Sequence, residues 1–488
     1  MLNFLKKENN LTYTENGALT HSQSGNFCLD LFFKAGAMRL SDDDKISRAV
    51  ICSYVEDPEK TMKIIFYARD IRGGLGERRF FRTAIKALSG FAPEAVIRNI
   101  PYFAEYGRFD DLLTLLGTPC ESNAFAEIKK QFNADTEVMS KNEPVSLLAK
   151  WLPSVNASSE ETKSAGRKMA KLFGMSEKKY RQSLSALRKY IDIIENHLRT
   201  SDYTFDYSKQ PSCAMFKYRE AFIRNDNERY IKYLESVQKG EEKINASVIY
   251  PYEIAHECMK SDISENKRLS LDVTWNNLPS YGSNDENAIA VIDGSGSMYC
   301  SYHGSVMPAE VAFSLGIYFA EHNKGKFANY FITFSRNPQL VEIKGKDIFE
   351  KVNYCSSFNE IANTDIEAVF KLILQTAVKN NLHQEEMPSK IYIISDMEFD
   401  YCVCNGNNAP VYDTMKKMYA KKGYRLPEII FWNVNSSNNN IPVTMSQTGA
   451  ALVSGFSPVI FDMAIAGDIS PVKVMESIIF SERYAPIS

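Results

Sequence analysis

Three separate stretches of the sequence end in oxygen-bearing side chains that suit a metal ion. Asp293, Ser295 and Ser297 stand at alternating positions, separated by glycines, directly after a run of apolar residues. Thr364 precedes a helical pattern, and Asp396 follows a second apolar run. Carboxylates and hydroxyls are hard ligands, which favours Mg²⁺ or Mn²⁺ in a shell that keeps some water. We therefore predict that these five side chains form one divalent-cation site.

The predicted site lacks the additional catalytic groups that most metal-dependent enzymes have. A hydrolytic centre normally adds a general base against bound water, and none of the six histidines stands at a metal-ligand spacing. The sequence also has no Gly-x-x-x-x-Gly-Lys loop to hold the phosphates of a nucleotide. We therefore predict that the protein is not an enzyme. Two further acids beside the site, Glu398 and Asp400, are predicted to be ordinary solvated side chains.

A glycine-rich turn with several arginines is the first candidate for binding a phosphate. Arg72, Arg78 and Arg79 surround the glycines at 73, 74 and 76, ahead of a helical pattern. Backbone N–H groups at a helix start and guanidinium groups both bind phosphate. The alternative is an ordinary turn between helices, with arginines that pair with nearby acids. Four neighbouring residues are interpreted as structural, the first three of them as an ion-pair network between helices: Arg69, Asp110, Asp111 and Trp151.

A second candidate surface is a basic stretch in the middle of the chain. Residues 161–240 contain 17 Lys plus Arg and 10 Asp plus Glu, a net +7 in a chain whose formal charge is −3. Cations can neutralise phosphates while aromatic rings stack on unpaired bases. A solvated basic face over an aromatic core explains the same composition. The residues predicted to contact nucleic acid are Arg72, Arg78, Arg79, Lys168, Lys171, Lys178 and Lys179.

The hydrophobic pattern divides the chain into two parts. From about residue 41 to 260, apolar residues recur every three or four positions, which is typical of amphipathic helices. Beyond a polar stretch, short apolar runs alternate with helical segments, which indicates a mainly parallel sheet. The strands are predicted at 288–292, 330–334, 391–395 and 429–434, and the helices at 308–322, 365–380 and 411–421. We predict a helical domain, residues 1–280, and a doubly wound α/β domain, residues 285–488, with its ligand site at the strand ends.

Composition bounds the environment of the protein. The nine cysteines of the 488-residue chain are scattered, and no apolar run approaches the roughly 18 residues of a membrane helix. The first ten residues are too charged for a secretory signal. We therefore predict a cytoplasmic protein with reduced thiols and no membrane partner. Because the whole chain is slightly acidic, any binding of nucleic acid must come from local basic patches.

The motif at 293–297, followed by Thr364 and Asp396, resembles the metal-ion-dependent adhesion site of von Willebrand factor A domains. In that family the two serines and the threonine contact the cation, and the two aspartates usually act through water. A carboxylate of a partner protein completes the shell. The resemblance implies these roles for the same five positions here, and a von Willebrand A-like fold for the second domain.

Segments of the first part resemble the helical-repeat module of the Ro autoantigen, also called TROVE. The resemblance is closer to a prokaryotic and phage family that joins such a module to a von Willebrand A-like domain, and it is carried by residues 69–78, 105–113, 149–154, 180–195, 206–215 and 222–226. In Ro proteins a ring of HEAT-like helical repeats binds small structured RNAs and the single-stranded ends of misfolded RNAs. The resemblance implies a non-catalytic RNA-binding or ribonucleoprotein scaffold. The alternative is a metal-dependent protein-interaction module of the adhesion or assembly-chaperone type.

Overall fold

The computed structural model describes most of the chain. The described residues are 10–191, 193–260, 263–281, 287–300, 306–335, 337–358, 365–399, 411–435, 440–463 and 469–488. Within these ranges, none of the helices combines the length and the apolar character needed to cross a membrane.

A short β-hairpin and a series of α-helices make up the first part of the chain. The hairpin pairs β1 (Leu11–Tyr13) antiparallel with β2 (Leu19–His21). The helices are α1 (Phe27–Ala35), α2 (Asp43–Glu56), α3 (Pro58–Arg69), α4 (Arg78–Phe91), α5 (Pro93–Asn99), α6 (Phe103–Tyr106), α7 (Glu121–Ser140), α8 (Leu148–Trp151), α9 (Glu160–Leu172), α10 (Glu177–Tyr190), α11 (Ile194–Arg199), α12 (Ser212–Asn225), α13 (Asn227–Gln238), α14 (Pro251–Cys258) and α15 (Glu265–Asn276).

Local sequence signals explain where these helices begin and which face they bury. In α4, Phe81, Ile85 and Leu88 lie on the buried face at the spacing of successive helical turns. Several helices begin after a polar N-cap side chain that accepts a hydrogen bond from the N–H three residues on. These N-caps are Asn26, Asp57, Ser159, Ser176 and Ser264.

The second part is an α/β fold built on one six-stranded sheet. The strands are β3 (Ala288–Asp293), β4 (Tyr330–Phe334), β5 (Leu340–Glu342), β6 (Lys390–Ser395), β7 (Glu428–Asn433) and β8 (Ala450–Ser454). The helices are α16 (Pro308–His322), α17 (Ile348–Ser356), α18 (Ile366–Lys379), α19 (Val411–Lys421), α20 (Ile460–Met463) and α21 (Pro471–Ile479).

The strand order fixes where a ligand site can form. The order across the sheet is β5-β4-β3-β6-β7-β8, and all neighbours are parallel except β5, which pairs antiparallel with β4. The chain runs outward from β3 on one side and then from β6 on the other, so the order reverses between these two strands. A crevice opens at the carboxyl ends of strands at such a point. Both strands are buried along their whole length.

The two parts pack against each other over a shared hydrophobic core. Helix α1 packs on β8, and α14 packs on α16. The C-terminal tail reaches back to the first part, where the Asp70 carboxylate accepts hydrogen bonds from Arg483 at 2.8 Å and from the Tyr484 hydroxyl at 3.0 Å. Lys63 donates to the carbonyl oxygen of Tyr484 at 2.7 Å. A second, smaller core lies among α11, α12, α13 and α15. One hydrophobic core therefore contains residues of both parts.

The observed elements agree with the predicted helical first part and mainly parallel second part. The four predicted strands and three predicted helices of the second part are present within one residue at each end. In the second part, strands β5 and β8 and helices α17, α20 and α21 were not predicted, and neither was the N-terminal hairpin. Strand β8 begins with two alanines, which have little intrinsic preference for strands, although its flanking glycines at 449 and 455 were a usable signal.

Candidate functional site

The turn after β3 holds one carboxylate and two hydroxyls at the crevice. Asp293 ends β3 and is completely buried. Its Oδ1 accepts a hydrogen bond from the Ser295 N–H at 2.9 Å, and its Oδ2 accepts one from the Ser395 hydroxyl at 2.5 Å. The hydroxyl oxygens of Ser295 and Ser297 lie 3.1 Å apart. These contacts fix the three predicted ligands of this turn relative to the end of β6.

Asp396 follows β6 and lies beside the turn. It is 4% exposed, its carboxylate is hydrogen-bonded to the Ser297 hydroxyl, and Oδ1 accepts the Glu398 N–H at 3.2 Å. Burial, followed by repulsion from the Asp293 carboxylate, raises the pKa of Asp396 well above its usual range. The next residue, Met397, has a φ of 67°, a conformation that residues other than glycine adopt rarely and often near functional sites.

Four of the five predicted metal ligands thus meet at one sheet edge. The fifth, Thr364, lies outside the described residues. The helix predicted to follow it, α18, begins at Ile366 with Asp365 as its N-cap. In the part of the chain that the structure describes, no group of three or more His, Cys, Asp or Glu side chains could hold a metal. The donors at the sheet edge are two carboxylates and two hydroxyls, a set that matches the preference of Mg²⁺ or Mn²⁺ for oxygen.

The prediction that Glu398 is a solvated acid is wrong. The residue is 3% exposed, and its carboxylate accepts hydrogen bonds from the Glu15 N–H and the Asn440 side-chain amide, both at 2.8 Å. The Asn16 side chain also donates to the Glu398 carbonyl oxygen at 2.8 Å. The N-terminal hairpin therefore packs against the loop that follows β6, a contact between distant positions that no local pattern reveals. The other acid of that prediction, Asp400, lies outside the described residues.

The glycine-rich turn between α3 and α4 is fixed by the protein itself. The N–H groups of residues 75, 76 and 77 donate to carbonyl oxygens of residues 67 to 70 and so cannot bind a phosphate. A Cβ atom at Gly74 would collide with the Tyr67 carbonyl oxygen. The Tyr484 hydroxyl of the C-terminal tail lies 3.0 Å from the Gly73 carbonyl oxygen. The backbone of this turn is therefore structural, which was the alternative to phosphate binding.

The ion-pair network predicted beside this turn is present. Arg69 is 3% exposed, and its Nε donates to the fully buried Asp111 carboxylate at 2.8 Å. Arg82 donates to the other oxygen of Asp111 at 2.7 Å. Arg108 donates to Asp110 at 2.8 Å, and its guanidinium lies 3.9 Å from the centre of the nearby tryptophan ring. The ion pairs expected of Arg69, Asp110 and Asp111 are therefore present, and Trp151 contacts Arg108 of the same network.

Arginines of this network line a cavity of about 410 Å³. The charged residues of its lining are five arginines and one glutamate, and three acids outside the lining pair with arginines of this set: Arg39, Arg69, Arg78, Arg79, Arg108 and Glu77. Arg78 makes no hydrogen bond or ion pair with any residue that the structure describes. Burial, followed by repulsion from Arg108 and Arg82, lowers the pKa of Arg78. This arrangement, which we call the arginine cavity, leaves one cation without a counter-charge in contact.

The three arginines predicted to contact nucleic acid differ in their surroundings. Arg78 and Arg79 line the arginine cavity, whereas Arg72 does not. Arg79 is tied to the start of α2, since it donates to the Ser41 carbonyl oxygen and the Asp43 carboxylate, both at 2.6 Å. Arg72 is exposed and donates to a backbone carbonyl oxygen at 3.2 Å. Sequence patterns did not single out Arg39, which enters the cavity from a different part of the chain.

The four predicted lysines lie on the neighbouring helices α9 and α10, and all four are exposed. Lys168 forms an ion pair with Glu121 at 2.5 Å. The side chains of Lys171, Lys178 and Lys179 form no ion pair with the described residues. The chain turns sharply at Gly174, which has a φ of 68°. Three unpaired cations therefore flank one turn, and none of them lines the arginine cavity.

The fold and these sites define a protein with a helical first part and an α/β second part that carries acidic strand ends. A family model described as "Domain of unknown function (DUF2828)" matches residues 14–140 and 156–279, which is more than half of the chain. The chain belongs to this family. A second model, "Domain of unknown function (DUF7788)", matches residues 287–476.

Individual relatives were found among curated proteins and among solved structures. The "Uncharacterized protein L728" of Acanthamoeba polyphaga mimivirus is 29% identical over 490 aligned positions, which cover 92% of this chain and 83% of that protein. The crystal structure of the Deinococcus radiodurans RO (RSR) protein matches with a TM-score of 0.40 and 14% identity over 96% of both chains. A structural likeness at that level carries no argument about function.

Proposed function

We propose that this protein is a non-catalytic RNA-binding scaffold of the cytoplasm, similar in role to Ro proteins. The observation that carries the proposal is the arginine cavity, where five arginines lie together and one of them, Arg78, has no acid in contact among the described residues. Guanidinium groups bind phosphate oxygens through paired hydrogen bonds, and clusters of them are typical of phosphate recognition. The resemblance of the sequence to the Ro helical repeats favours RNA as the source of the phosphates.

The lysines of α9 and α10 support the same function. Lys178 and Lys179 lie in the first turn of α10, where the positive end of the helix dipole disfavours cations. Their placement costs stability unless an anion binds nearby. Together with Lys168 and Lys171, they would contact phosphates of a longer RNA. This surface would add affinity without reading sequence, because phosphate contacts carry no base information.

Reversing the charge of Arg78 tests the proposal. We expect Arg78→Glu to weaken binding of a single-stranded RNA about tenfold or more at low salt, because a cation facing phosphate becomes an anion. Fluorescence anisotropy with a labelled RNA measures the affinity, which should fall steeply with salt for the wild type. The RNA should stay full-length in the presence of Mg²⁺ or Mn²⁺ if the protein is not a nuclease.

Arg425→Glu is the matched control for this charge reversal. Arg425 is exposed and lies before β7 in the second part of the chain, outside the lining of the arginine cavity. Affinity close to that of the wild type is expected for this variant. Equal weakening by both variants would show only a general effect of net charge, and the absence of RNA binding by the wild type would refute the proposal.

We further propose that Asp293, Ser295, Ser297, Thr364 and Asp396 bind Mg²⁺ or Mn²⁺ in a von Willebrand A-like domain. The support is electrostatic. Two almost fully buried carboxylates repel each other, as the raised pKa of Asp396 indicates. Buried charges are normally paired or bound to a metal, and a divalent cation would offset this repulsion. A carboxylate from a protein partner would complete the shell.

Metal addition should therefore stabilise the protein. With the cation at about 100 times its Kd, binding adds about 2.7 kcal/mol to the free energy of unfolding. Thermal unfolding with Mg²⁺ and with EDTA should show a higher midpoint with Mg²⁺ for the wild type and no difference for Asp293→Asn. Glu342→Gln, which neutralises an exposed acid on β5, should respond like the wild type. An identical response of Asp293→Asn and wild type would exclude this metal site.

A second candidate function is a metal-dependent protein-interaction module. It is favoured by the position of the acidic cluster at the crevice between β3 and β6, where α/β folds bind their ligands. In that case a protein partner would be captured with Mg²⁺ and released by EDTA. The Asp293→Asn variant would lose the partner and keep its affinity for RNA.

A further inference from the structure

The arginine cavity contains four arginines that are already engaged and one that is not. Arg39 donates to Glu77 at 2.6 Å, and Arg69 donates to Asp111 at 2.8 Å. Arg79 and Arg108 are paired with Asp43 and Asp110 in the same way. These pairs hold four guanidinium groups in place around the fifth. Arg78 is therefore an exposed, unpaired cation beside four paired guanidinium groups, of which Arg69 is held by a buried partner, and partial preorganisation of this kind favours anion binding.

The start of α4 adds a second source of positive potential to the cavity. Glu77 is the N-cap residue, but its carboxylate contacts Arg39 and does not cap the helix. No other side chain of the described residues caps the first turn of this 14-residue helix. Gly76, Glu77, Arg78 and Arg79 all line the cavity, so the uncapped helix end lies at its wall. The N–H groups of Gly76 and Glu77 are bonded within the turn, so the N–H groups that favour a phosphate here are those of Arg78 and Arg79 in the first turn of the helix.

A third observation concerns a polar group beside the same wall. The Tyr250 hydroxyl is buried and has no hydrogen-bond partner among the described residues. A Cβ atom at Gly76 would lie 2.5 Å from it, so the hydroxyl ends directly against this lining residue. An unsatisfied buried hydroxyl costs about 1–3 kcal/mol. The hydroxyl lies behind Gly76 and outside the lining, so Arg78 and the uncapped helix end are the donors without an acceptor that line the cavity.

We propose that the arginine cavity binds a phosphate monoester, which in the proposed RNA-binding role is a phosphorylated end of the RNA. A monoester carries a charge of about −1.5 to −2 at pH 7 and three acceptor oxygens, whereas an internal phosphodiester carries −1 and continues in both directions. A cavity of about 410 Å³ is at the small-ligand end of the usual range and accommodates a terminal nucleotide. Because four of the five arginines are paired with acids, the positive potential that favours the dianion comes from Arg78 and the uncapped start of α4.

The inference is tested with one RNA sequence in three forms: with a 5′-phosphate, with a 3′-phosphate, and with hydroxyls at both ends. We expect one phosphorylated form to bind about tenfold more tightly than the hydroxyl form, because one strong charge-assisted contact is worth roughly this much. Arg78→Gln should abolish the difference in affinity between the phosphorylated and hydroxyl forms. Lys178→Gln/Lys179→Gln should weaken all three forms alike and preserve the difference.

The outcomes separate this inference from the proposed function. Equal affinity for all three forms would overturn the monoester site and leave RNA binding intact. Absence of binding to every form would overturn both. A nucleoside monophosphate that displaces the phosphorylated RNA at micromolar concentration would support the monoester site and assign it to free nucleotides. An unchanged thermal midpoint of Arg78→Gln establishes that any loss of binding is local, as expected for a side chain without a partner in the fold.

Discussion

Replacing Asp111 by alanine should lower the free energy of unfolding by about 3–5 kcal/mol, because removing one member of a buried ion pair leaves the other charge uncompensated. Asp111 is completely buried, and its two carboxylate oxygens accept hydrogen bonds from Arg69 and Arg82 at 2.8 and 2.7 Å. The Arg108 N–H also donates to Asp111, at 3.0 Å. Denaturant or thermal unfolding of the purified variant measures the loss.

Asp43→Ala is the control for this substitution. Asp43 also accepts a hydrogen bond from an arginine, Arg79, at 2.6 Å, but its side chain is 71% exposed. Exposed ion pairs contribute about 0–1 kcal/mol, so this variant should unfold almost like the wild type. If both aspartate variants lost the same small amount of stability, the buried network would not be what fixes the turn and the helices around it.

Gly36→Ala should destabilise the protein by about 3 kcal/mol, at the upper end of the usual cost of overpacking. Gly36 follows α1 and lies against Gly455, which follows β8 in the other part of the chain. A Cβ atom at Gly36 would lie 2.5 Å from the Gly455 Cα atom and 2.6 Å from its nitrogen. Both contacts are to backbone, so no side-chain rotation can relieve them. The hydrogen bond from the Gly36 N–H to Ser454 at 3.0 Å would be strained as well.

Gly90→Ala is the matched control for the glycine substitution. Gly90 lies near the end of α4, and a Cβ atom there would have no neighbour within 4 Å. Alanine in a helix is more stable than glycine by about 1 kcal/mol, so this variant should be slightly more stable than the wild type. Thermal midpoints of the two variants should therefore move in opposite directions. A Gly36→Ala midpoint at or above that of the wild type would contradict the close packing of α1 on β8.

Much of the second part could be predicted because its signals are local. The buried strands β3 and β6 are continuous apolar runs, and the polar residues that end them, Asp293 and Asp396, must lie at the same edge if the strands are parallel. The relative position of side chains at such neighbouring strand ends can be predicted without knowing the rest of the fold. The positions of Asp293, Ser295, Ser297 and Asp396 in the sequence were therefore enough to predict that they lie close together.

The contacts between the two parts could not be predicted, because they join residues that are far apart in the sequence. Glu398 contacts Glu15 and Asn440, and Asp70 contacts Arg483 and Tyr484 more than 400 residues away. No hydrophobic period or spacing links such positions. Glu398 was therefore predicted to be solvated because it lies beside the predicted metal site in the sequence, although the fold buries it under the N-terminal hairpin.

Counting charges in the sequence also could not show which basic residues have partners from distant parts of the chain. The sequence identified Arg78 and Arg79 together, yet only the structure shows that Arg79 is paired and that Arg78 is not, among the described residues. It also brings Arg39 to the same cavity from outside the arginine-rich motif. Counting cations finds a basic segment, whereas their partners decide which of them remain for a ligand.

The central claim, that the protein binds RNA through the arginine cavity, is tested most directly by crosslinking in the cells that express it. Protein purified after crosslinking is digested, and the peptides that carry nucleotide adducts are identified by mass spectrometry while the attached RNA is sequenced. We expect adducts on peptides that flank Arg78 and Arg108, a discrete set of RNAs, and loss of both in Arg78→Glu. Recovery of no RNA above background, or adducts confined to peptides remote from the cavity, would contradict the claim.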